Sequence, residues 1–317
     1  MNIIVTGSLG NISKPLTIDL VQKGHSVTVI SSKPEKQATI EALGAQAAIG
    51  SMEDVQFLAN TFAGADAVYC MIPLNFTEPD LAGYLHRIAN NYLQALKQTG
   101  TKRVVVLSGW AADLLSGENV EGVFDELTNA SITILRPASF YTNFYSSIGM
   151  IRGKGFIGAF LTVRYSGLKA LLRGERGLLM GNCGGDDKTV FVSPLDIADA
   201  AAEELLTVTE KTNVRYVGSE EMTCNEAARI IGSAIGKPYL KWVLLSDKQM
   251  LQGLKMAKVP LKVAETLVEM QAVTHTGAPL QNFHKNEPKM GKVKLKDFAK
   301  EFAAVYASPR PSPKERG

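Results

Sequence analysis

The first half of the chain alternates short runs of aliphatic and β-branched residues with longer stretches in which apolar positions recur at helical spacing. The short runs are NIIVT, SVTVI, AQAAI, DAVYCMI, RVVVLS and ITILRP, and the helical stretches begin near Asn11, Pro34, Met52, Pro79 and Glu118. Buried strands that alternate with helices are typical of a parallel sheet covered on both faces. The pattern therefore predicts the α/β class and a doubly wound parallel sheet.

The pattern changes after ILRP. The segment VFVSPLDIADAAAEELL predicts a strand, a Ser-Pro turn and an amphipathic helix, and VRYVGSEEMTCNEAARIIGSAIG repeats this order. A helical segment over residues 246–274 and the closing VKLKDFAKEFAAVYA follow. We expect this second half to form a smaller, mostly helical part that packs over the carboxyl edge of the sheet.

A glycine-rich loop and a helix follow the first strand at once, in the stretch MNIIVTGSLGNISKPLTIDLVQKG. The loop has the spacing of a dinucleotide-binding fingerprint, but Ser13 stands in the place of the third glycine. Gly7 permits the tight turn, Gly10 lets the backbone approach a pyrophosphate, and the start of the helix offers N–H groups to the anion. We expect Ser13 to loosen the packing of helix on strand slightly without blocking the phosphates. The alternative is a glycine turn that binds no ligand.

The end of the second strand discriminates between the two nicotinamide dinucleotides. NAD enzymes usually place Asp or Glu there for the adenosine ribose, whereas NADP requires a positive charge for its 2′-phosphate. Here SVTVI ends in SSKPEK, so Ser31 and Ser32 offer hydroxyl groups and Lys33 offers a cation. The sequence therefore favours NADP(H) over NAD(H). The alternative is that Lys33 only solvates a turn.

Four segments taken together, TGSLGNIS, ILRPASFYTNF, VSPLDIADAA and KLKDFAKEFA, are similar to one family. They resemble the NmrA-like, NAD(P)-binding branch of the atypical short-chain dehydrogenases and reductases. Within this branch, the resemblance is to the members that are similar to quinone oxidoreductases. The resemblance runs to about Ala307, and it implies a Rossmann-type domain with nicotinamide above the sheet and a small C-terminal substrate-binding part. Carried over to this sequence, the cofactor contacts are Gly7, Ser8, Gly10, Asn11, Ile12, Ser31, Lys33, Met71, Ile72, Pro73 and Ser108.

The resemblance also suggests how the chain divides. Residues 1–150 are expected to form the NAD(P)-binding Rossmann domain, and residues 151–307 the substrate-binding part, interleaved with the first. Residues 160–182 depart from the family pattern as an apparent insertion, either a helical lid or partner-binding segment or an ornamental surface element. The closing SPRPSPKERG is proline-rich and charged, so residues 308–317 are expected to be a disordered tail.

The catalytic pair of the conventional members of this superfamily is missing from its expected place. Those members use a tyrosine and, four positions later, a lysine that lowers the pKa of the phenol. From Gly109 to Asn129 the chain has neither residue type, and we interpret Tyr165 and Lys169, inside the apparent insertion, as a coincidental match. The catalytic residues are therefore unknown.

The missing pair limits the reaction. Reduction of an isolated ketone produces a basic alkoxide and needs a positioned acid, whereas a quinone or similar conjugated acceptor delocalises the charge. A quinone-like small molecule is thus the expected substrate. Trp110, Phe140, Tyr141 and Asn143 follow the fifth and sixth predicted strands and are the candidate pocket residues. Aromatic packing between the two domains is the alternative role for them.

Composition argues against several other classes of protein. The net charge of the 317 residues is only +3 and no basic face with base-stacking elements is evident, so no nucleic-acid partner is expected. Since no apolar run can span a bilayer and no signal peptide is recognisable, we expect no membrane partner and a cytoplasmic location. The three cysteines and four histidines lack metal-ligand spacing, so no metal is expected. A monomer or homodimer is expected.

Three functions are compatible with these residues. The first is an NADP(H)-dependent oxidoreductase that transfers hydride to a quinone or another small conjugated electrophile. The second is a non-catalytic regulator of the NmrA type that senses the NADP(H) ratio through a partner. The third, an isomerase or reductase of a specialised biosynthetic step, would share the fold and differ only in its pocket.

Overall fold

The computed structural model describes residues 1–75, 78–115, 120–153, 164–207 and 212–308. These residues fall into two compact units. Unit 1 comprises Met1–Pro137, Pro194–Val217 and Pro260–Val263, and unit 2 comprises Ala138–Ser193, Gly218–Val259 and Ala264–Gly317. The expected domain boundary at residue 150 stays a prediction. Residues 160–163 of the apparent insertion and residues 309–317 of the expected tail lie outside the described residues.

Twelve strands lie in the described part of the chain. They are β1 (Asn2–Val5), β2 (Ser26–Ser31), β3 (Gln46–Ile49), β4 (Ala67–Cys70), β5 (Arg103–Leu107), β6 (Ser131–Pro137), β7 (Ser139–Phe140), β8 (Leu179–Gly181), β9 (Lys188–Val192), β10 (Asn213–Val217), β11 (Glu220–Thr223) and β12 (Trp242–Leu244). Unit 1 contains a seven-stranded sheet in the order β10-β6-β5-β4-β1-β2-β3. All neighbouring pairs in it are parallel.

The apolar runs of the sequence become the central strands of this sheet. All residues of β4 and β6 are buried, which is the expected result for strands covered by helices on both faces. The chain winds outward from β1 through β2 to β3 and then, on the other side of β1, from β4 through β5 to β6. The predicted α/β class and the doubly wound, Rossmann-type parallel sheet are therefore confirmed.

The α-helices of the described part of the chain include Ser13–Gln22, Gln37–Glu41, Val55–Phe62, Leu81–Thr99, Ile148–Arg152, Leu168–Leu172, Pro194–Leu206, Cys224–Ala234, Asp247–Met256, Leu261–His275, Ala278–Lys285 and Leu295–Ala307. The helix expected near Glu118 is instead a 3₁₀ helix, Val120–Glu126. Its Gly122 and its β-branched Val120 and Val123 are poor helix formers, which favours the shorter, tighter form. The expected segment 246–274 is two helices, with Pro260 between them.

The helix Leu81–Thr99 shows how local sequence sets the element ends in unit 1. The Asp80 side chain accepts a hydrogen bond from the amide of Gly83, which caps the start. Gly100 ends the helix with φ +64°, the left-handed conformation that glycine adopts without strain. The buried face includes Tyr84, Ile88 and Tyr92, so the helix covers one face of the sheet with apolar and aromatic side chains.

Unit 2 combines two small sheets with short helices. One sheet has the order β11-β9-β7 and the other pairs β12 with β8. The helix Cys224–Ala234 begins with a capping box, in which Thr223 and Glu226 each bond the other's backbone amide. The core of unit 2 includes the buried aromatic residues Tyr141, Phe144 and Phe298. The expected smaller, mostly helical part thus has strands of its own.

A buried ion pair joins three elements at the amino edge of the unit 1 sheet. Arg103, the first residue of β5, contacts the Glu204 carboxylate at 2.8 Å and donates to Ser131 and Thr133 of β6 at 2.6 and 3.0 Å. The Arg103 side chain is 3% exposed. Burial lowers the pKa of Arg103, and the Glu204 carboxylate partly offsets this effect. The pair therefore fixes the helix Pro194–Leu206 against β5 and β6.

We expect Glu204→Gln to lower the free energy of unfolding by about 3 kcal/mol, because Arg103 would stay buried without a full counter-charge. Urea-induced unfolding measures this difference. Glu203→Gln is the matched control, since Glu203 lies on the same helix, pairs with Arg215 at 2.7 Å and is 57% exposed. It should change the stability by less than about 0.5 kcal/mol. Equal losses in both variants would contradict a special role for the buried pair.

Candidate functional site

The loop after β1 makes the tight turn that the fingerprint predicts. Gly7 has φ +86° and Ser8 has φ +54°, so two successive residues adopt left-handed backbone conformations. A Cβ atom on Gly7 would lie 2.3 Å from Cε of Met71 and 2.7 Å from Oγ of Ser13. Glycine is therefore required at position 7 by the backbone conformation, and a side chain there would also disturb its neighbours.

Ser13, in the place of the third glycine, connects the first helix to the first strand. It is fully buried, and its hydroxyl donates to the carbonyl oxygen of Thr6 at 2.8 Å. Its own carbonyl oxygen accepts from the Thr17 hydroxyl at 2.7 Å. The expected loosening is not found, because the serine hydroxyl bonds the strand end that a glycine would only have approached.

The N-terminus of the helix Ser13–Gln22 has no capping side chain. Its N-cap residue is Ile12, and its first turn contains no acidic residue. Pro15, in that first turn, has no N–H group of its own. The amides at this end and the helix dipole therefore suit an anion that takes the place of a capping side chain.

Three of the predicted cofactor residues lie together where β2 ends. The hydroxyl of Ser8 donates to Oγ of Ser31 at 2.9 Å, and the amide of Lys33 donates to the same oxygen at 3.2 Å. Ser31 is buried, whereas Lys33 is exposed. The amide of Ser8 also donates to the carbonyl oxygen of Ile30 in β2 at 3.0 Å. The glycine loop and the end of β2 are thus one hydrogen-bonded structure that carries hydroxyl groups and a cation.

The predicted residues after β4 are held next to this loop. The hydroxyl of Thr6, which directly follows β1, accepts from the amide of Met71 at 2.7 Å and donates to its carbonyl oxygen at 3.2 Å. The Tyr92 hydroxyl donates to that carbonyl at 3.0 Å. Ile72 is half-buried and Pro73 is exposed. These residues lie at the carboxyl edge, at the β1–β4 point where the winding direction reverses and where open α/β sheets bind their ligands.

Ser108, the last predicted cofactor residue, follows β5 at the same edge. Its hydroxyl donates to Oε1 of Glu121 at 2.5 Å, and its amide donates to the carbonyl oxygen of Leu135 at 2.8 Å. Glu121 is 8% exposed and forms an ion pair with Arg136 of β6 at 2.6 Å. The sequence offered no signal for Glu121, since a glutamate in a polar stretch looks like an ordinary surface residue.

Arg136 has further partners around this carboxylate. It donates to the Tyr216 hydroxyl at 2.9 Å and contacts the Asp113 carboxylate at 2.8 Å. Burial lowers the pKa of Arg136, but the hydrogen bonds with Glu121 and Tyr216 outweigh that effect and raise the pKa above its ordinary value. Arg136 therefore stays charged and lies against the Glu121 side chain.

The predicted pocket residues divide between the units. Trp110 lies in unit 1, is 7% exposed and donates its amide to the carbonyl oxygen of Pro137 at 3.1 Å. Phe140, Tyr141 and Asn143 lie in unit 2, where Phe140 is half-buried and Asn143 is exposed.

Tyr141 is fully buried in the core of unit 2. Its ring stacks on Phe298 with 5.6 Å between ring centroids, and its hydroxyl donates to Glu220 and to the carbonyl oxygen of Val293, each at 3.2 Å. The ring and the hydroxyl are thus both engaged within the unit. A substrate contact for Tyr141 stays a prediction that the proposal below does not use.

Tyr165 and Lys169 are not on one continuous helix. Gly167 lies between them with φ +83°, and a new helix begins at Leu168. The spacing of four residues therefore does not place both side chains on one helical face. The aromatic ring of Tyr165 contacts Arg164, with the guanidinium carbon 5.6 Å from the ring centroid.

The residues that the structure describes contain no group of three or more His, Cys, Asp or Glu side chains that could hold a metal ion. None of their helices combines the length and the apolar character that crossing a membrane requires. Two of the histidines lie next to carboxylates, His275 beside Asp187 and His284 beside Glu221, each at 2.7 Å.

The loop, the uncapped helix and the β2 end have chemistry that fits a dinucleotide. A pyrophosphate needs backbone N–H donors at a glycine turn, and an adenosine ribose needs polar groups at the end of the second strand. The helix start without a capping side chain fits the first requirement, and the hydroxyl groups of Ser8 and Ser31 fit the second.

Residues 7–143 match the family model described as NAD(P)H-binding. Over these residues the chain is similar to the proteins that this model describes. The resemblance expected from the sequence is therefore confirmed at the level of an NAD(P)H-binding segment, and it supports a nicotinamide dinucleotide as cofactor. The match contains every predicted cofactor residue and ends at Asn143.

The similarity to several known proteins covers nearly the whole chain. An NAD(P)H azoreductase from Xenophilus azovorans is 23% identical over 316 residues, which cover 96% of this chain and 98% of the relative. An NADPH-dependent quinone oxidoreductase from Escherichia coli, solved with NADPH, has a TM-score of 0.70 at 18% identity, with 95% and 99% of the two chains covered. A triphenylmethane reductase from Citrobacter sp. has a TM-score of 0.71 at 19% identity, with 96% and 100% covered. At these identities the structural likeness shows a shared fold.

We expect Gly7→Ala to weaken binding of NADPH by at least about tenfold, because a side chain at φ +86° strains the loop and pushes against Met71 and Ser13. Fluorescence titration with NADPH measures the dissociation constant. Gly64→Ala is the matched control, since Gly64 has φ +72° but open space where its Cβ would stand. This control should lose stability yet bind NADPH like the unchanged protein; weaker binding in both variants would indicate general unfolding.

Proposed function

We propose that this chain is an NADPH-dependent oxidoreductase that transfers hydride to a quinone or another small conjugated electrophile. The observation that carries the proposal is the joined structure of the glycine loop and the β2 end, in which Ser8, Ser31 and Lys33 lie together. The match of residues 7–143 to the NAD(P)H-binding family model supports the class of cofactor. The names of the similar proteins support the class of reaction.

The preference for NADPH over NADH rests on the end of β2. A carboxylate at this place would accept hydrogen bonds from an adenosine ribose but would repel a 2′-phosphate. Here Ser31 ends the strand and Lys33 follows, exposed. A hydroxyl group and a cation at this position favour the phosphorylated cofactor.

The preference for a conjugated acceptor rests on two arguments. No tyrosine or lysine occurs from Gly109 to Asn129, where the proton donor of the conventional enzymes stands. Azo compounds, quinones and triphenylmethane dyes, to which the names of the similar proteins refer, are all conjugated. Such acceptors delocalise the added charge, so that their protons can come from water.

In the proposed mechanism, the residues of unit 1 bind and orient the reactants. The bound cofactor supplies the hydride. The loop before the helix Ser13–Gln22 and the start of that helix would hold the pyrophosphate with amides other than those of Ser8 and Gly10, which bond Ile30 and Gly7. The Ser13–Thr6 hydrogen bond fixes this helix. The Thr6–Met71 bonds fix the chain after β4 beside the same loop. Positioning is then the main source of rate.

We expect Lys33→Gln to raise the dissociation constant for NADPH by about tenfold and to leave that for NADH within about twofold, because only NADPH carries the 2′-phosphate. Titration with both nucleotides measures the ratio. Lys23→Gln, which removes an exposed cation paired with Asp19 on the first helix, is the matched control and should alter neither constant. If Lys33→Gln changed both constants equally, the assignment of Lys33 to the phosphate would be wrong.

Turnover tests the oxidoreductase itself. Purified protein should oxidise NADPH in the presence of quinones, azo dyes or enones, and should be slower by orders of magnitude with isolated ketones, which need a proton donor. The absorbance of NADPH reports the rate. If the protein binds NADPH but none of the conjugated acceptors accelerates its oxidation, the enzymatic function is refuted and the NADP(H)-sensing regulator is the remaining candidate.

A further inference from the structure

The Ser108 hydroxyl, at the carboxyl edge of the unit 1 sheet, is bonded to a buried glutamate, Glu121. Ser108 is half-buried at the carboxyl end of β5, and its amide bond to Leu135 fixes the backbone there. Its one hydroxyl proton is donated to Oε1 of Glu121. Because an ionised carboxylate can only accept hydrogen bonds, the direction of this bond is determined.

Glu121 is held so that it cannot easily turn away. Arg136 donates to both of its oxygens, from Nε to Oε1 at 3.0 Å and from Nη2 to Oε2 at 2.6 Å. Arg136 is in turn held by Tyr216 and Asp113. A bidentate pair of this kind fixes the carboxylate plane as well as its charge.

Because its proton is donated to Glu121, the Ser108 hydroxyl can offer only its oxygen lone pairs to another group. Within the described residues, no group donates a hydrogen bond to Oγ of Ser108. A hydroxyl whose proton is already given to a carboxylate presents acceptor capacity to whatever binds beside it. The Glu121 carboxylate therefore decides which kind of hydrogen bond Ser108 can make.

We propose that Glu121 is a positioning residue that turns Ser108 into a hydrogen-bond acceptor for a donor group of the bound nicotinamide nucleotide, a ribose hydroxyl or the carboxamide N–H. The inference rests on the proposed function, because it requires that the nucleotide binds at this edge. It also means that Ser108 does not donate a proton to a substrate carbonyl. This role of Ser108, together with the absence of tyrosine from Gly109 to Asn129, agrees with conjugated acceptors as substrates.

A double-mutant cycle on NADPH binding tests the proposal. Ser108→Ala should raise the dissociation constant about three- to tenfold, the effect of one lost hydrogen bond. Glu121→Gln should raise it similarly in the unchanged protein, and by less than about twofold in the Ser108→Ala background, because the two residues act as one unit. Thermal unfolding should show a loss of stability from Glu121→Gln in both backgrounds.

Glu204→Gln is the matched control, since it weakens the buried Arg103–Glu204 pair at the opposite edge of the same sheet. It should lower the unfolding temperature and leave the dissociation constant for NADPH unchanged. If it weakens binding as much as Glu121→Gln does, the effect of Glu121 is general loosening and the proposal is overturned. Should Glu121→Gln not fold, Glu121→Asp takes its place in the cycle, because it keeps the charge and shortens the reach.

The acetylpyridine analogue of NADPH, which has no carboxamide N–H, separates the two donor groups. If the carboxamide is the donor, Ser108→Ala should not weaken binding of the analogue; if a ribose hydroxyl is the donor, the loss should persist. Unchanged NADPH binding by Ser108→Ala, or equal effects of Glu121→Gln in both backgrounds, would overturn the inference while the proposed function stands. Failure of the unchanged protein to bind NADPH would overturn both.

Discussion

Parallel pairing is the constraint on which the candidate site depends. All seven strands of the unit 1 sheet run in one direction, so every carboxyl end lies on one edge. Gly7 and Ser108 lie 101 positions apart in sequence, yet each closely follows a strand at this edge. The hydrogen bonds of Thr6 with Met71 and of Ser8 with Ser31 then join three strand ends into one surface.

The two edges of the sheet carry different kinds of buried ion pair. At the amino edge Arg103 and Glu204 connect two strands and a helix, and the described partners of Arg103 there are structural. At the carboxyl edge Arg136 pairs with Glu121, and Glu121 accepts a hydrogen bond from the half-buried Ser108. The same chemistry thus supports stability at one edge and the arrangement of a polar surface at the other.

Much of unit 1 could be predicted from the sequence because its strands are continuous apolar runs. The six predicted strands of the first half correspond to β1 to β6. Gly7, Gly10, Ser31 and Lys33 could be chosen by their spacing after the first two strands, whereas Ser8 came from the family resemblance. Their contact with each other needed only the parallel order of β1 and β2.

The parts that sequence could not predict depend on side-chain partners distant along the chain. Ser13 looked like a weakened glycine position, but its hydroxyl bonds the carbonyl of Thr6. Glu121 gave no signal, because its role arises from Arg136 on another element. Tyr141 follows β6 closely, yet its ring is enclosed by Phe298 from the end of the chain. Spacing along a strand or helix carries no information on such contacts.

Ser8 has a consequence for how the loop meets a ligand. It holds φ +54°, a conformation that a side chain rarely adopts, and both its amide and its hydroxyl are bonded to the end of β2. A serine fastened in this way has far fewer alternative conformations than a glycine would have. The loop is therefore preorganised before any nucleotide arrives, so little conformational entropy is lost when one binds.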